Sequence, residues 1–490
     1  MSNDKIIHTH GADYETPEEG YFKTRELQRG AASWILLAAL GVSYVIAGEF
    51  AAWNYGIDQA GWGGMFLSLL LMAVMYFCLV FSLAELASII PTAGGGYGFA
   101  RRAFGPGLGF LTGMAIVLEY GMATSAVALF FEGYFKALTG WGGLKVLIPL
   151  FGIFFLIHIR GARESLRVIL ALAAIAGAGI LVFIIMMVPE IQLSNLFDIP
   201  ATSAAGASEL LPYGYFGIWA GFPFAIAMFL AVEGIPLASE EAKNPARDVP
   251  RGMMAAVIIL FTLAVFILLS APGGAGSSRL GEGEDPLMIA FTHVYGADHP
   301  ARYIINVAAL VGITASFFSL IFAYSRQIFS LSRAGYLPRF LSLTNKRKAP
   351  YMAVLVPGGI AFGLSLTRAA EQLIVIVVFC ATLSYIIMMA AHIRLRLKEP
   401  SLHRPYRTPG GLAAPVTALA LSLLAFVVCL SISITWSLIA VACLCIAGSY
   451  YWIYSRHHLI AQAPEEEFET MKAANAELEA SPSVAEQRTP

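Results

Sequence analysis

Ile46-Ala47-Gly48-Glu49-Phe50-Ala51-Ala52-Trp53-Asn54-Tyr55 places an acid inside what otherwise reads as one membrane span. Residues 31–45 are almost wholly apolar, and apolar character resumes from Phe50 to Trp53, so Glu49 cannot sit in a loop without cutting the span short. An acid near the bilayer centre costs roughly 2.5–3.5 kcal/mol on insertion scales. Ionisable residues at such depth mark substrate or ion pathways. The structural alternative is a carboxylate that hydrogen-bonds another helix, or an interfacial one if the span ends early.

Composition agrees with a membrane chain. The sequence is 58% hydrophobic and 13% charged, with a mean hydropathy of +0.71, values of an integral membrane protein rather than a soluble globule. At ~20 residues per crossing plus connections, 490 residues hold about ten to twelve helices. Cys78, Cys380, Cys429, Cys443 and Cys445 all lie in apolar runs without a CxxC pair or a nearby His, so they form neither a disulfide framework nor a metal site. A net charge of −1 gives no footprint for nucleic acid. There is no Walker A sequence, HExxH or GxSxG in a strand-to-helix context, which argues against a pump driven by ATP and against an enzyme.

Hydropathy then divides the chain into twelve spans, at 31–58, 64–90, 107–137, 142–159, 166–188, 213–242, 252–272, 303–331, 351–367, 372–393, 411–431 and 434–455. Residues 1–30 form a polar arm, and the long apolar run that follows is no signal peptide. The stretch 190–212 contains no Lys or Arg, and 273–300 reads as an external loop rich in Gly, Glu and Asp. Residues 456–490 form a tail, acidic from 462 and read as mobile. With the amino terminus inside, only Lys136, Lys145, Arg279, Arg302 and Arg368 of the 31 Lys and Arg fall outside. This asymmetry puts both termini in the cytoplasm.

The spans also repeat. Ala47-Gly48-Glu49-Phe50 in span 1 and Ala231-Val232-Glu233-Gly234-Ile235-Pro236 in span 6 each set a Glu beside a helix-weakening Gly, a little past the span midpoint. Span 1 runs outward and span 6, five helices later, runs inward. The pattern fits a five-plus-five inverted repeat, 31–200 followed by 201–400, with helices 11 and 12 (401–455) added. Interrupted helices at corresponding positions point to a transporter binding site. Gly and Pro cost roughly 1 and 3 kcal/mol inside a helix, so breaks are expected beside Gly48, Gly234 and Pro236. A Pro kink without a ligand is the alternative.

Phe229-Leu-Ala-Val-Glu233-Gly-Ile-Pro, followed by Glu241-Ala-Lys243-Asn244-Pro245-Ala-Arg247-Asp-Val-Pro250, resembles the sixth helix and cytoplasmic Lys-Asn-Pro motif of the amino acid, polyamine and organocation (APC) transporters. Further motifs follow in the same order: Pro91-Thr-Ala-Gly-Gly, Ala100-Arg-Arg-Ala-Phe-Gly105, Ser332-Arg333-Ala-Gly-Tyr-Leu-Pro338 and His403-Arg-Pro-Tyr-Arg-Thr-Pro409. The resemblance covers residues 30–455. It implies an all-α, LeuT-like fold with helices 1 and 6 discontinuous. It also implies a multi-pass protein of a bacterial cytoplasmic (inner) membrane, monomeric or homodimeric, whose partners are a small substrate and the bilayer.

One departure narrows the substrate. Amino acid carriers that this chain resembles usually have Gly-Ser-Gly, an aliphatic residue and Phe at the helix 1 break, where the substrate carboxylate is held. Ile46-Ala47-Gly48-Glu49-Phe50 stands there instead. Like charge at Glu49 would repel a carboxylate and attract an amine. Ala47-Gly48-Glu49-Phe50 with Trp53-Asn54-Tyr55-Gly56 is similar to the ethanolamine permease branch. The expectation is therefore import of a small amine, ethanolamine first, with an amino acid or polyamine permease or exchanger as the alternative and a channel or receptor as the reading from another class.

The expected substrate contacts are Ala47, Gly48, Glu49, Phe50, Glu119, Tyr120, Phe229, Glu233 and Gly234. Glu119 either faces the site or bonds a neighbouring helix, and a ring such as Phe50 or Tyr120 offers an ammonium a cation–π face. No cofactor is expected beyond a coupling H+ or Na+. In some proton-coupled members a helix 5 Lys replaces a sodium ion, but that position falls at or near Ala176 here. Thr314, Ser316 and Ser319 are the hydroxyls expected near a sodium ion, or else bond back to their own helix.

Overall fold

The computed structural model describes residues 7–464 except 10, 19, 28, 29, 31, 161, 282, 284 and 462. The acidic tail expected beyond 464 lies outside the described residues. A hairpin of β1 (Ile7–Thr9) and β2 (Ala12–Glu15) precedes the helices. Then come α1 (Trp34–Phe50), α2 (Trp53–Ile89), α3 (Gly96–Phe104), α4 (Pro106–Thr139), α5 (Leu144–Arg160) and α6 (Ala162–Met187). After α7 (Leu193–Leu196), α8 (Gly214–Ala220) and α9 (Phe222–Ala227), a 3-10 stretch covers Val232–Glu241. The chain continues through α10 (Pro245–Ala275), α11 (Pro286–Tyr295), α12 (Pro300–Arg333), α13 (Tyr351–Ser365), α14 (Ala370–Lys398), α15 (Ala413–Ile432), α16 (Ile434–Ile453) and β3 (Leu459–Ile460).

Local sequence explains several of these ends. Pro opens α4, α10, α11 and α12, where a missing amide hydrogen does no harm. Gly140, Gly276 and Gly296 close α4, α10 and α11 in positive-φ backbone. The expected loop 273–300 is corrected by α11, whose Pro286 and following apolar run form a helix of 10 residues. Inside α2, Gly61 turns the chain at φ 70, ψ 165, and a side chain there would strike Pro212. Residues 53–60 are thus a short segment set off from the long run that follows.

Nine helical segments among the described residues are long and apolar enough to cross a membrane, and α1, α11 and α13 are shorter apolar helices. α1 packs against α10, α12 and α6, while α4 packs against α14 and α12. Almost every residue of α1 from Leu37 to Phe50 is buried, so this helix is enclosed by protein rather than lipid. α15 and α16 lie at the periphery, where Leu423, Val427, Leu438, Ile446 and Trp452 are exposed. Such an exposed apolar face suits acyl chains and would be unfavourable in water.

The two ends of the chain meet at one end of the bundle. β2 pairs antiparallel with β1 and parallel with β3, Tyr14 opposite Leu459 and Glu15 opposite Ile460. Tyr14 is fully buried and accepts a hydrogen bond from Arg101. This end is further closed by a bridge in which the Ala32 amide donates to the Glu241 carbonyl and the Lys243 amide to the Ala32 carbonyl, both at 2.8 Å. Arg326 pairs with Glu241 at 3.0 Å, both buried, and Arg333 with Glu240 at 2.6 Å.

Candidate functional site

Two helix interruptions meet at the centre of the bundle. α1 runs through Gly48 and stops at Phe50, Ala51 is extended, and Ala52 takes a positive φ of 82°. The break expected beside Gly48 is thus displaced to Ala51–Ala52. The freed Glu49 and Phe50 carbonyls accept from the Trp53 indole at 3.2 Å and the Tyr134 hydroxyl at 2.7 Å. In the second half, α9 ends at Ala227, turns cover Met228–Ala231, and Ala231 has φ 75°. Gly234 and Pro236 lie just beyond, inside the 3-10 stretch. Alanine at positive φ is strained by roughly 1–2 kcal/mol, and here it recurs at both breaks.

Gly48 serves close approach rather than flexibility. A Cβ at this position would stand 2.5 Å from the Ala227 carbonyl oxygen, so the two interrupted segments touch through bare backbone. Gly48→Ala is expected to destabilise the fold by ~1–3 kcal/mol through overpacking, read as a lowered melting temperature. Gly121→Ala, with open space around it, should leave that temperature unchanged.

Between the breaks lies a cavity of about 50 Å³. Tyr44, Ala47, Gly48 and Ala52 line it from the first break, Ala123, Val127 and Phe130 from α4, and Ala227 and Ala231 from the second. Leu320 and Ile374 complete it from α12 and α14. No lining residue among those described is basic. It exceeds the ~10–15 Å³ a cavity needs to hold a water and is small enough to admit only a small ligand.

A buried acidic and phenolic cluster adjoins this cavity. Glu119 and Glu233 are buried near one another, and among the described residues neither Glu119 oxygen nor Glu233 Oε2 has a hydrogen-bond partner. Tyr120 donates to Glu233 Oε1 at 3.4 Å and lies parallel to Tyr44, ring centroids 6.3 Å apart. Tyr385 contacts Glu233 and shares a 3.1 Å hydroxyl contact with Tyr76. Two buried carboxylates so placed cannot both stay ionised without a compensating positive charge, so the site favours a cation.

Glu49 stands apart from this cluster. It is fully buried in the last turn of α1, neither carboxylate oxygen has a hydrogen-bond partner among the described residues, and it does not line the cavity. Phe50 is also turned away, pressing on Gly312 beside Ala176, whereas Phe229, though it does not line the cavity, stacks on Tyr76 of the cluster with ring centroids 5.1 Å apart. The place expected for a helix 5 Lys is therefore filled by packed apolar groups. Ser316 donates to the Ser43 carbonyl at 2.6 Å and accepts from the Ala47 amide at 2.9 Å, standing between two groups that a regular helix would join. Ser319 is buried with its hydroxyl unpaired, and Thr314 is half-buried.

Sequence reasoning missed Tyr44, Tyr76, Tyr385 and the α4 wall. Tyr44 had a signal, since four residues before Gly48 it shares that helix face. Tyr76 and Tyr385 had none, because isolated tyrosines in apolar spans resemble packing residues.

Residues 31–449 match the family model described as amino acid permease. The chain belongs to the amino acid permease family. This family of permeases, not enzymes, lies within the APC superfamily that the motifs resemble. Over 460 residues the chain is 25% identical to the branched-chain amino acid permease BcaP of Bacillus subtilis, covering 86% of this chain and 92% of that protein. It is 28% identical to the methylthioribose transporter of the same organism over 457 residues, 89% of this chain and 95% of that one. The vacuolar cationic amino acid transporter 4 of Arabidopsis thaliana is 27% identical over 312 residues, 59% of this chain and 50% of that one.

Proposed function

We propose that this permease is a secondary transporter importing a small amine, ethanolamine first, across a bacterial cytoplasmic membrane by alternating access. The observation that carries this reading is that two buried acids, Glu119 and the Tyr120-bonded Glu233, lie beside an alanine-lined cavity without a basic side chain. Such a site attracts an ammonium and offers a carboxylate no counterion. The ammonium sits between the two acids near Tyr120 and Tyr44, with the carbons in the alanine-lined space and the hydroxyl toward backbone freed at the breaks. Glu49 lies at the carbonyl end of α1, an end that favours cations. A cavity of about 50 Å³ favours a small substrate such as ethanolamine over a bulky one.

The proposed frame is twelve spans in a five-plus-five inverted repeat with both termini cytoplasmic. Positive-φ alanines at both breaks and the sheet joining the chain ends support it. Inward opening would then separate the Ala32–Ala242 bridge and the Arg326–Glu241 and Arg333–Glu240 pairs. A second reading, an amino acid permease of the same fold, is favoured by the names of the branched-chain and cationic amino acid relatives.

The test is counterflow in liposomes of purified protein. Labelled ethanolamine should accumulate saturably against internal unlabelled ethanolamine, and non-saturable flux would indicate a channel. Glu49 does not line the cavity, so it would act on the amine only at a distance, and Glu49→Gln should weaken ethanolamine binding less than the loss of Glu233 does. Unchanged affinity in a folded variant would remove Glu49 from charge selection.

A further inference from the structure

The Lys-Asn-Pro segment that opens α10 takes no part in the central site, yet it builds a second concavity. Arg247 and Arg251 lie one helical turn apart on one face of α10, both exposed. Neither guanidinium has a hydrogen bond or ion pair among the described residues. The nearby acids are engaged elsewhere: Asp248 accepts from the Asn244 amide at 3.1 Å, Glu240 binds Arg333 and Glu241 binds Arg326. Trp34, the first residue of α1, and Tyr406, between α14 and α15, face these arginines across a groove of about 810 Å³. Pro250, Met254 and Ala255 give it an apolar wall. Beyond the wall α10 continues with Ile258 and Ile259 exposed, and α1 with Ile35 exposed.

The groove thus grades from two uncompensated guanidinium groups, through an aromatic pair, to an apolar surface of the transmembrane bundle. Amphipathic aromatics settle at headgroup depth, and basic pockets between helices on the cytoplasmic side accept anionic headgroups. Guanidinium forks match phosphate oxygens. A free phosphate would use the arginines but gain nothing from the apolar wall.

We propose that this groove binds an anionic phospholipid, its phosphate between Arg247 and Arg251 and an acyl chain along Met254 toward Ile258. The groove lies beside the Ala32–Ala242 bridge, at the end of α1 that must move when the terminus-bearing side opens. A bound lipid therefore braces that closed end.

The experiment is a thermal-shift titration of the detergent-purified full chain with phosphatidylglycerol, phosphatidylcholine and inorganic phosphate, repeated on Arg247→Gln/Arg251→Gln. Phosphatidylglycerol should raise the melting temperature at concentrations at least tenfold below those phosphatidylcholine needs, and the double variant should lose that difference while keeping its ethanolamine-induced shift. If the double variant does not fold, Arg251→Gln alone should weaken the phosphatidylglycerol response several-fold. Equal responses to the two lipids, an unchanged response in a folded variant, or full reproduction by inorganic phosphate would each overturn the proposal. Because the lipid shift is read without substrate, its failure leaves the amine reading untouched.

Discussion

Replacing Glu233 by Gln is expected to weaken ethanolamine binding by tenfold to roughly a hundredfold, the equivalent of about 1.5–3 kcal/mol for a hydrogen bond to a buried charge. Glu233 accepts from Tyr120, contacts Tyr385 and lies near Glu119, so every neighbour recognises its carboxylate. Gln keeps the shape and removes the charge. Glu119→Gln should have a smaller effect, because the Gln amide donates to Glu233 and leaves one full carboxylate for the ammonium. The double variant should lose less than the two single losses combined, as groups acting as one unit do. The pair also predicts a pH effect with a definite sign. A proton and an ammonium compete for the same oxygens, so apparent ethanolamine affinity should fall as the pH is lowered, and Glu119→Gln should flatten that dependence. Isothermal titration of purified protein at several pH values measures both. Wild-type affinity in a folded Glu233→Gln variant would show that the acid pair does not hold the amine.

The sequence carries some of this site openly and hides the rest for physical reasons. Span positions follow from apolar runs, because backbone groups in a bilayer must be satisfied within helices. Glu49, Glu119 and Glu233 announce themselves because an acid in an apolar run is unfavourable unless used. Their placement in one cluster does not: Glu119 on α4 and Glu233 in the 3-10 stretch are brought near each other by tertiary packing, and no local spacing encodes that. The breaks were sought at Gly and Pro, the residues that weaken helices. The strained positions are instead Ala52 and Ala231, held at positive φ by the surrounding packing, which propensity cannot foresee. Gly48 does not bend the chain but admits the Ala227 carbonyl, a close approach that a glycine in an apolar run does not announce. α11 was read as loop because Gly281, Gly283 and Asp285 outweighed the apolar run after Pro286, although Pro at a first helical position was a start signal.

Excess ethanolamine is expected to block uptake of labelled ethanolamine, while equal excesses of glycine, serine or glutamate leave it unchanged. Serine is the sharpest control, being ethanolamine with a carboxylate added. In the cavity that carboxylate would meet Ala47, Ala52, Ala123, Ala227 and Ala231 and no basic side chain. Held with its ammonium at the acid pair, it would stand a few ångströms from a carboxylate. Two unit charges at about 4 Å repel by roughly 4 kcal/mol at an effective dielectric of 20, close to a thousandfold in affinity. Helix amides at the breaks can offset part of this by capping a carboxylate, but Glu49 in the last turn of α1 opposes them. Size acts in the same direction, because a cavity of about 50 Å³ must expand to admit the extra carboxylate. Competition by serine as strong as by ethanolamine would show that neither the acids nor the small volume select against carboxylates. The chain would then be read as an amino acid permease, in line with the names of its branched-chain and cationic relatives.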